Sequence, residues 1–133
     1  MILFTCIPIP VHLDCDAPYD NLDVETGTVV VSPNYPNRYD HQIDCAATLS
    51  LVQRKNVVLY FLSFYIDHSS ECTDDYLEIR SVASEASSSL KLSLCGSENP
   101  SPIDLKENAV YLKFSTDHKI SRQGFKIQIE EGK

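Results

Sequence analysis

The sequence predicts an all-β protein, an antiparallel two-sheet β-sandwich. Three observations point there. About seven short apolar runs recur at regular spacing, most of them alternating apolar and polar residues. No long window carries the 3.6-residue period of a helix. Five cysteines, at 6, 15, 45, 72 and 95, are well separated and make no C-x-x-C pair, so they read as disulfides of a secreted protein rather than as zinc or redox ligands.

Each run has its own reason. GTVVVS (27–32) is β-branched and bounded by Gly27 and Pro33. CAATLSLV (45–52) puts Leu49 and Leu51 on one face and Thr48 and Ser50 on the other. VVLYFLSFYI (57–66) is apolar at nearly every position, which predicts a strand buried on both faces in mid-sandwich. YLEIR (76–80) turns Leu77 and Ile79 inward, and SLKLSL (89–94) does the same with Leu90, Leu92 and Leu94. AVYLKFS (109–115) aligns Val110, Leu112 and Phe114, and GFKIQIE (124–130) aligns Phe125, Ile127 and Ile129. SPNYPNRYD, SVASEASSS and CGSENPSP supply the turns, the serine-rich stretch reading as a hairpin tip.

At 133 residues the chain is one domain's worth, with 43% hydrophobic and 23% charged residues, ordinary for a globular protein. The net charge of −8 and the absence of a basic run disfavour nucleic acid. No apolar run approaches the ~18 residues of a membrane span. The opening MILFTCIPIPV is apolar but lacks a positive n-region, so it reads as a signal remnant, a gene-model start or an extended arm. Two disulfides among five cysteines can form in fifteen ways, five choices of the odd residue times three pairings. Cys6, in the arm, is the candidate for the one left over.

No G-x-S-x-G, H-E-x-x-H or cysteine–histidine arrangement occurs, and the chain is not expected to be an enzyme. The chemistry lies instead in FYIDHSSECTDDYLEIR (64–80), where acids crowd around Cys72 at the end of one strand and the start of the next. Such a loop is either solvated and disulfide-pinned or half of a metal site. FSTD ends another strand in an acid. Asp67, Asp75 and Asp117 therefore all stand at or near strand ends, and three carboxylates converge if those ends share one rim. Calcium is the cation such oxygens suit.

At these residues the chain resembles a CUB domain. The matching stretches are SPNYPNRY (32–39), FYIDHSSECTDDYLEI (64–79), LCG (94–96) and FSTDHKISRQGFKIQI (114–129), together covering about residues 15–130. The resemblance implies the family's jelly-roll-like β-sandwich over 15–131, with 1–14 left as an arm or signal remnant. It implies disulfides Cys15–Cys45 and Cys72–Cys95. By position in the calcium-binding subset of the family it implies Asp67, Asp75 and Asp117 as metal ligands, with Tyr39 and the Lys119 carbonyl in support. It further implies an extracellular protein partner whose lysine or arginine inserts at a rim formed by Tyr39, Asp67, Asp117 and His118. The alternatives are a metal-free structural or oligomerisation module and a spermadhesin-like glycan-binding protein. Several positions depart from the family's pattern. Asp67 stands for the usual glutamate, Lys119 for a small polar residue, Ile120 for an asparagine found in some members, and Ala47 for a core tryptophan. His68 and His118 directly follow two of the proposed ligands. Either they point away and are merely solvated, or a ring lies close to the ion and metal affinity falls as pH drops through the histidine range.

Overall fold

A computed structural model describes residues 9–13, 15, 21–81 and 91–132. Cys6, Leu90 and most of the serine-rich stretch lie outside the described residues. Among the described residues ten strands run in chain order: β1 (Val11–His12), β2 (Leu22–Val24), β3 (Val29–Val31), β4 (Asp44–Leu51), β5 (Val57–Tyr65), β6 (Tyr76–Ser81), β7 (Lys91–Leu94), β8 (Ile103–Asp104), β9 (Ala109–Ser115) and β10 (Gly124–Glu131). They form two five-stranded sheets, ordered β1-β3-β10-β5-β8 and β2-β4-β9-β6-β7. A 3₁₀ turn, Ser70–Cys72, lies between β5 and β6. Among the described residues no helix is long and apolar enough to cross a membrane.

All seven expected runs are strands, and β1, β2 and β8 are additions too short to show a pattern. Six of the eight strand pairings are antiparallel. The two parallel ones, β1 with β3 and β2 with β4, add edge strands to the expected antiparallel sandwich. Both involve short N-terminal strands laid against sheet edges by long-range packing, which alternation cannot report. Part of the stretch read as an arm joins the sandwich, since β1 pairs with Val30 and Val31 and Leu13 is buried in the core.

The core is built from the alternating positions. Leu49, Leu51, Leu77, Ile79, Val110, Leu112 and Phe114 come from one sheet and Leu59, Phe125, Ile127 and Ile129 from the other, and none is exposed to solvent. Strand β5 departs from the expectation of burial on both faces. Tyr60, Leu62 and Tyr65 are 42%, 46% and 40% exposed, so its outer face is open. Ala47, where the family carries tryptophan, lies in the core as well. Cys15–Cys45 and Cys72–Cys95 are both disulfide-bonded, closing spans of 30 and 23 residues. Cross-links of this span stabilise by about 3.5 kcal/mol each in the chain-entropy account.

Gly124 marks the start of β10 for a steric reason. Its φ is +94°, and an added Cβ would lie 1.9 Å from Ser32 Oγ. That buried hydroxyl instead accepts the Phe125 N–H at 3.0 Å, tying β10 to the loop that carries Tyr39.

Candidate functional site

The acids meet at one end of the sandwich. β6 runs antiparallel to β9 with Tyr76 opposite Ser115, so the residue before β6 and the residues after β9 are neighbours. Asp75 and Asp117 occupy those places. Asp67 arrives from the other sheet, just beyond the end of β5, where Ile66 exchanges hydrogen bonds with Gly96 across a short bridge. Tyr39 reaches the same spot from the loop between β3 and β4.

Asp75 is the hub. It is fully buried, and its two carboxylate oxygens accept from different elements. Oδ2 takes the Tyr39 hydroxyl at 2.7 Å and Oδ1 takes the Asp117 N–H at 2.7 Å. The Tyr39 oxygen in turn accepts the Asp67 N–H at 3.0 Å. One tyrosine and one carboxylate thus connect the backbones of Asp67, Asp75 and Asp117 across both sheets. The Tyr39 ring stands edge-on to Phe114 with centroids 5.0 Å apart, and Phe114 stands edge-on to Phe125 at 5.3 Å, so the phenol is anchored by the core. Thr116 fastens the loop before β4 to the same corner. Its hydroxyl donates to the Asp40 carbonyl at 2.9 Å and accepts the Ile43 N–H at 3.1 Å, while Gln42 N–H reaches the Asp117 carbonyl at 2.9 Å.

The electrostatics follow from burial. Desolvation pushes the Tyr39 phenol well above its ordinary range, so it remains a donor at neutral pH. Desolvation, with ionised Asp117 nearby, pushes the Asp75 carboxyl up. Asp117 moves down, chiefly because its carboxylate accepts the Lys119 N–H at 3.0 Å. A buried carboxylate beside a second ionised one is a place where a cation is favoured.

Asp67, Asp75, Asp117 and Tyr39 are thus brought together. Lys119 is present through its N–H on Asp117, and its ammonium lies 4.0 Å from Asp74. The ring of His68 is turned toward the second disulfide, with Nδ1 3.8 Å from Cys95 Sγ, and His118 is exposed at the rim. Sequence reasoning missed the residue that completes the corner, Arg122. Its Nε and Nη2 each lie 3.4 Å from Asp67 Oδ1, its guanidinium stacks 5.1 Å from the centre of the Tyr65 ring, and its carbonyl accepts the Tyr39 N–H at 3.0 Å. Its position in ISRQGF carried no spacing signal, since the approach to Asp67 spans 55 residues.

The donor set is all oxygen, which suits a hard cation such as calcium rather than zinc or copper. Each acid has lone pairs to spare beyond the bonds given above. The set does not form a closed cage in this arrangement. Among the described residues no three acid, histidine or cysteine side chains stand as a metal-holding group, and Arg122 shares Asp67.

Residues 15–129 match the CUB domain family. The chain belongs to the CUB family. It is 43% identical over 96 residues to dog cubilin, a match covering 72% of this chain and 3% of that protein. It is 37% identical over 98 residues to bone morphogenetic protein 1 of Xenopus laevis, covering 74% of this chain and 14% of the relative. The chain thus spans only 3% and 14% of the length of these two relatives. The second CUB domain of MASP-1, solved bound to Ca2+, is 25% identical with a TM-score of 0.71, covering 86% of this chain and 99% of that one. The CUB1-EGF-CUB2 segment of human MASP-1/3 superposes with a TM-score of 0.74 at 27% identity, over 86% of this chain and 43% of that one. This CUB domain is an extracellular, disulfide-held β-sandwich.

Proposed function

We propose that this CUB domain is a non-enzymatic recognition module. In this reading calcium, held by Asp67, Asp75 and Asp117, orders a rim that engages a lysine or arginine of an extracellular protein partner. The carrying observation is the buried Asp75 carboxylate, which joins the Asp117 backbone to Tyr39 and, through Tyr39, to Asp67. The likeness to a calcium-bound CUB domain of MASP-1 supports the choice of metal. Within this reading Tyr39 holds the loops in register, Asp75 supplies the charge that is costly without a cation, and the more open Asp117 and Asp67 offer outer oxygens to a basic side chain. The net charge of −8 assists approach of such a partner. The test is calcium titration by calorimetry of the native protein and of Asp75→Asn, followed by binding of a lysine-bearing peptide with and without calcium. Saturable calcium binding lost in the variant, with peptide binding only when calcium is present, is the expected result. Native protein that binds no calcium overturns it.

A second reading, a metal-free structural module, has one observation in its favour: Arg122 already neutralises Asp67 from within the chain. In that case the corner is a fixed polar joint between the two sheets, and calcium leaves the melting temperature unchanged.

A further inference from the structure

Beside the acidic corner lies a pocket of opposite character. It is open, about 330 Å³, and lined by Pro36, Asn37, Arg38, Tyr65, Arg122 and Gln123. Among the described residues no acid lines it, although acids outnumber lysine and arginine 19 to 11 in the chain. Arg38 is exposed and spends one N–H on the Ser121 carbonyl, Nη1 to oxygen 3.4 Å, and among the described residues no carboxylate pairs with it. Arg122 is half-buried and held flat over Tyr65, and its contacts to Asp67 are long, leaving N–H donors for a second acceptor. The amides of Asn37 and Gln123 add neutral donors at the edge.

We propose that Arg38 and Arg122, with Tyr65, Asn37 and Gln123, form an anion pocket that takes an aspartate or glutamate side chain of the protein partner. The inference rests on the proposed function, in which the adjacent rim takes a basic side chain of the same partner. Arg122 belongs to both neighbourhoods, because it touches Asp67 on one side and lines the pocket on the other. The partner's epitope is then a basic and an acidic side chain placed side by side, read by an acid rim and an arginine pocket in a fixed order. A carboxylate fits better than a polyanion. The −8 charge of the chain repels a sulfated glycan or a polyphosphate as a whole, whereas an epitope with one charge of each sign meets no net repulsion.

The experiment uses the full chain in calcium and follows the Nε–Hε signals of Arg38, Arg122 and the distant Arg54 by NMR. Titrated probes are acetate, inorganic phosphate, and two capped peptides, Lys-Gly-Asp and Lys-Gly-Asn. Acetate should shift Arg38 and Arg122 saturably and leave Arg54 unmoved. Lys-Gly-Asp should bind about two- to five-fold more tightly than Lys-Gly-Asn, the range of an exposed ion pair. Arg38→Gln, at an exposed position, should erase that preference while keeping the fold. Equal affinity of the two peptides, or shifts at Arg38 and Arg122 no larger than at Arg54, overturns the pocket and leaves the lysine-binding rim intact. Phosphate binding more tightly than acetate overturns the carboxylate assignment. Saturable acetate shifts with neither lysine peptide binding keep the anion pocket and reject the rim as a lysine site.

Discussion

Arg122 sits with its guanidinium against Asp67, Nη2 3.4 Å from Oδ1, and over the face of Tyr65. The chain thereby places a cation of its own beside one of the three carboxylates proposed to hold calcium. A second cation at Asp67 must share that oxygen or displace the guanidinium, and the two positive charges repel. Arg122→Gln removes the competitor and keeps part of the side-chain volume. Calcium affinity should rise about two- to five-fold, the scale of a partly exposed ion pair, as measured by calorimetry. Unchanged affinity would mean that Asp67 is not a ligand.

Asp117→Ala should abolish stabilisation by calcium. A ligand at about 100 times its dissociation constant adds about 2.7 kcal/mol to a protein that binds it only when folded. Melting curves of native and variant protein, with disulfides intact and with calcium or chelator, give the comparison. A calcium-dependent rise that survives in the variant would remove Asp117 from the ligand set.

Tyr39→Phe deletes the donor to Asp75 Oδ2 and the acceptor of the Asp67 N–H while keeping the ring on Phe114. The lost bonds leave a buried carboxylate oxygen without its donor, at a cost of about 1–3 kcal/mol. Denaturant unfolding in chelator isolates this term from any effect on calcium. A variant as stable as the native chain would show that water replaces the hydroxyl at no cost.

Asp75 gives a pH dependence with a definite sign in chelated protein. Its folded-state pKa is raised, mainly by burial, so the protonated form is the one the fold prefers. Its contribution to stability is full below the pKa of the unfolded chain and is lost as pH rises through the folded value. Asp117 shifts the other way and contributes above its unfolded pKa. Comparing native protein with Asp75→Asn across pH separates the two groups. The stability of the variant relative to native should increase as pH rises from about 3.9, the unfolded carboxyl value, toward neutrality. A difference that is flat with pH contradicts the burial argument.

Gly124→Ala should destabilise by at least about 2 kcal/mol, since a side chain meets both a φ of +94° and Ser32 Oγ at 1.9 Å. Ser32→Gly in the same chain relieves the clash but not the backbone strain, so it should recover only part of the loss. Full recovery in the double variant, read by thermal melting, would show that φ plays no part.

The sequence by itself determined the sandwich and most of its strands, because alternation such as Val110, Leu112 and Phe114 is a local property of a pleated chain with one wet face. It also named Asp67, Asp75, Asp117 and Tyr39, since the CUB resemblance fixes them by position in ordered motifs. Tertiary structure alone decided how those residues connect. Which acid of the Asp74–Asp75 pair is buried depends on what β9 and Tyr39 present opposite it, and here Asp75 meets the Asp117 N–H and the phenol while Asp74 meets Lys119. The open outer face of β5, legible only as an apolar run, follows from no layer covering Tyr60 and Leu62 among the described residues. Arg122 lies 55 positions from Asp67, and Arg38 lies 84 from Arg122, in loops whose meeting is set by the register of β10 against β3 and β5. Periodicity reports which face a side chain takes. It does not report which distant loop will stand across from it, and a charge pair or a pocket exists only in that second relation.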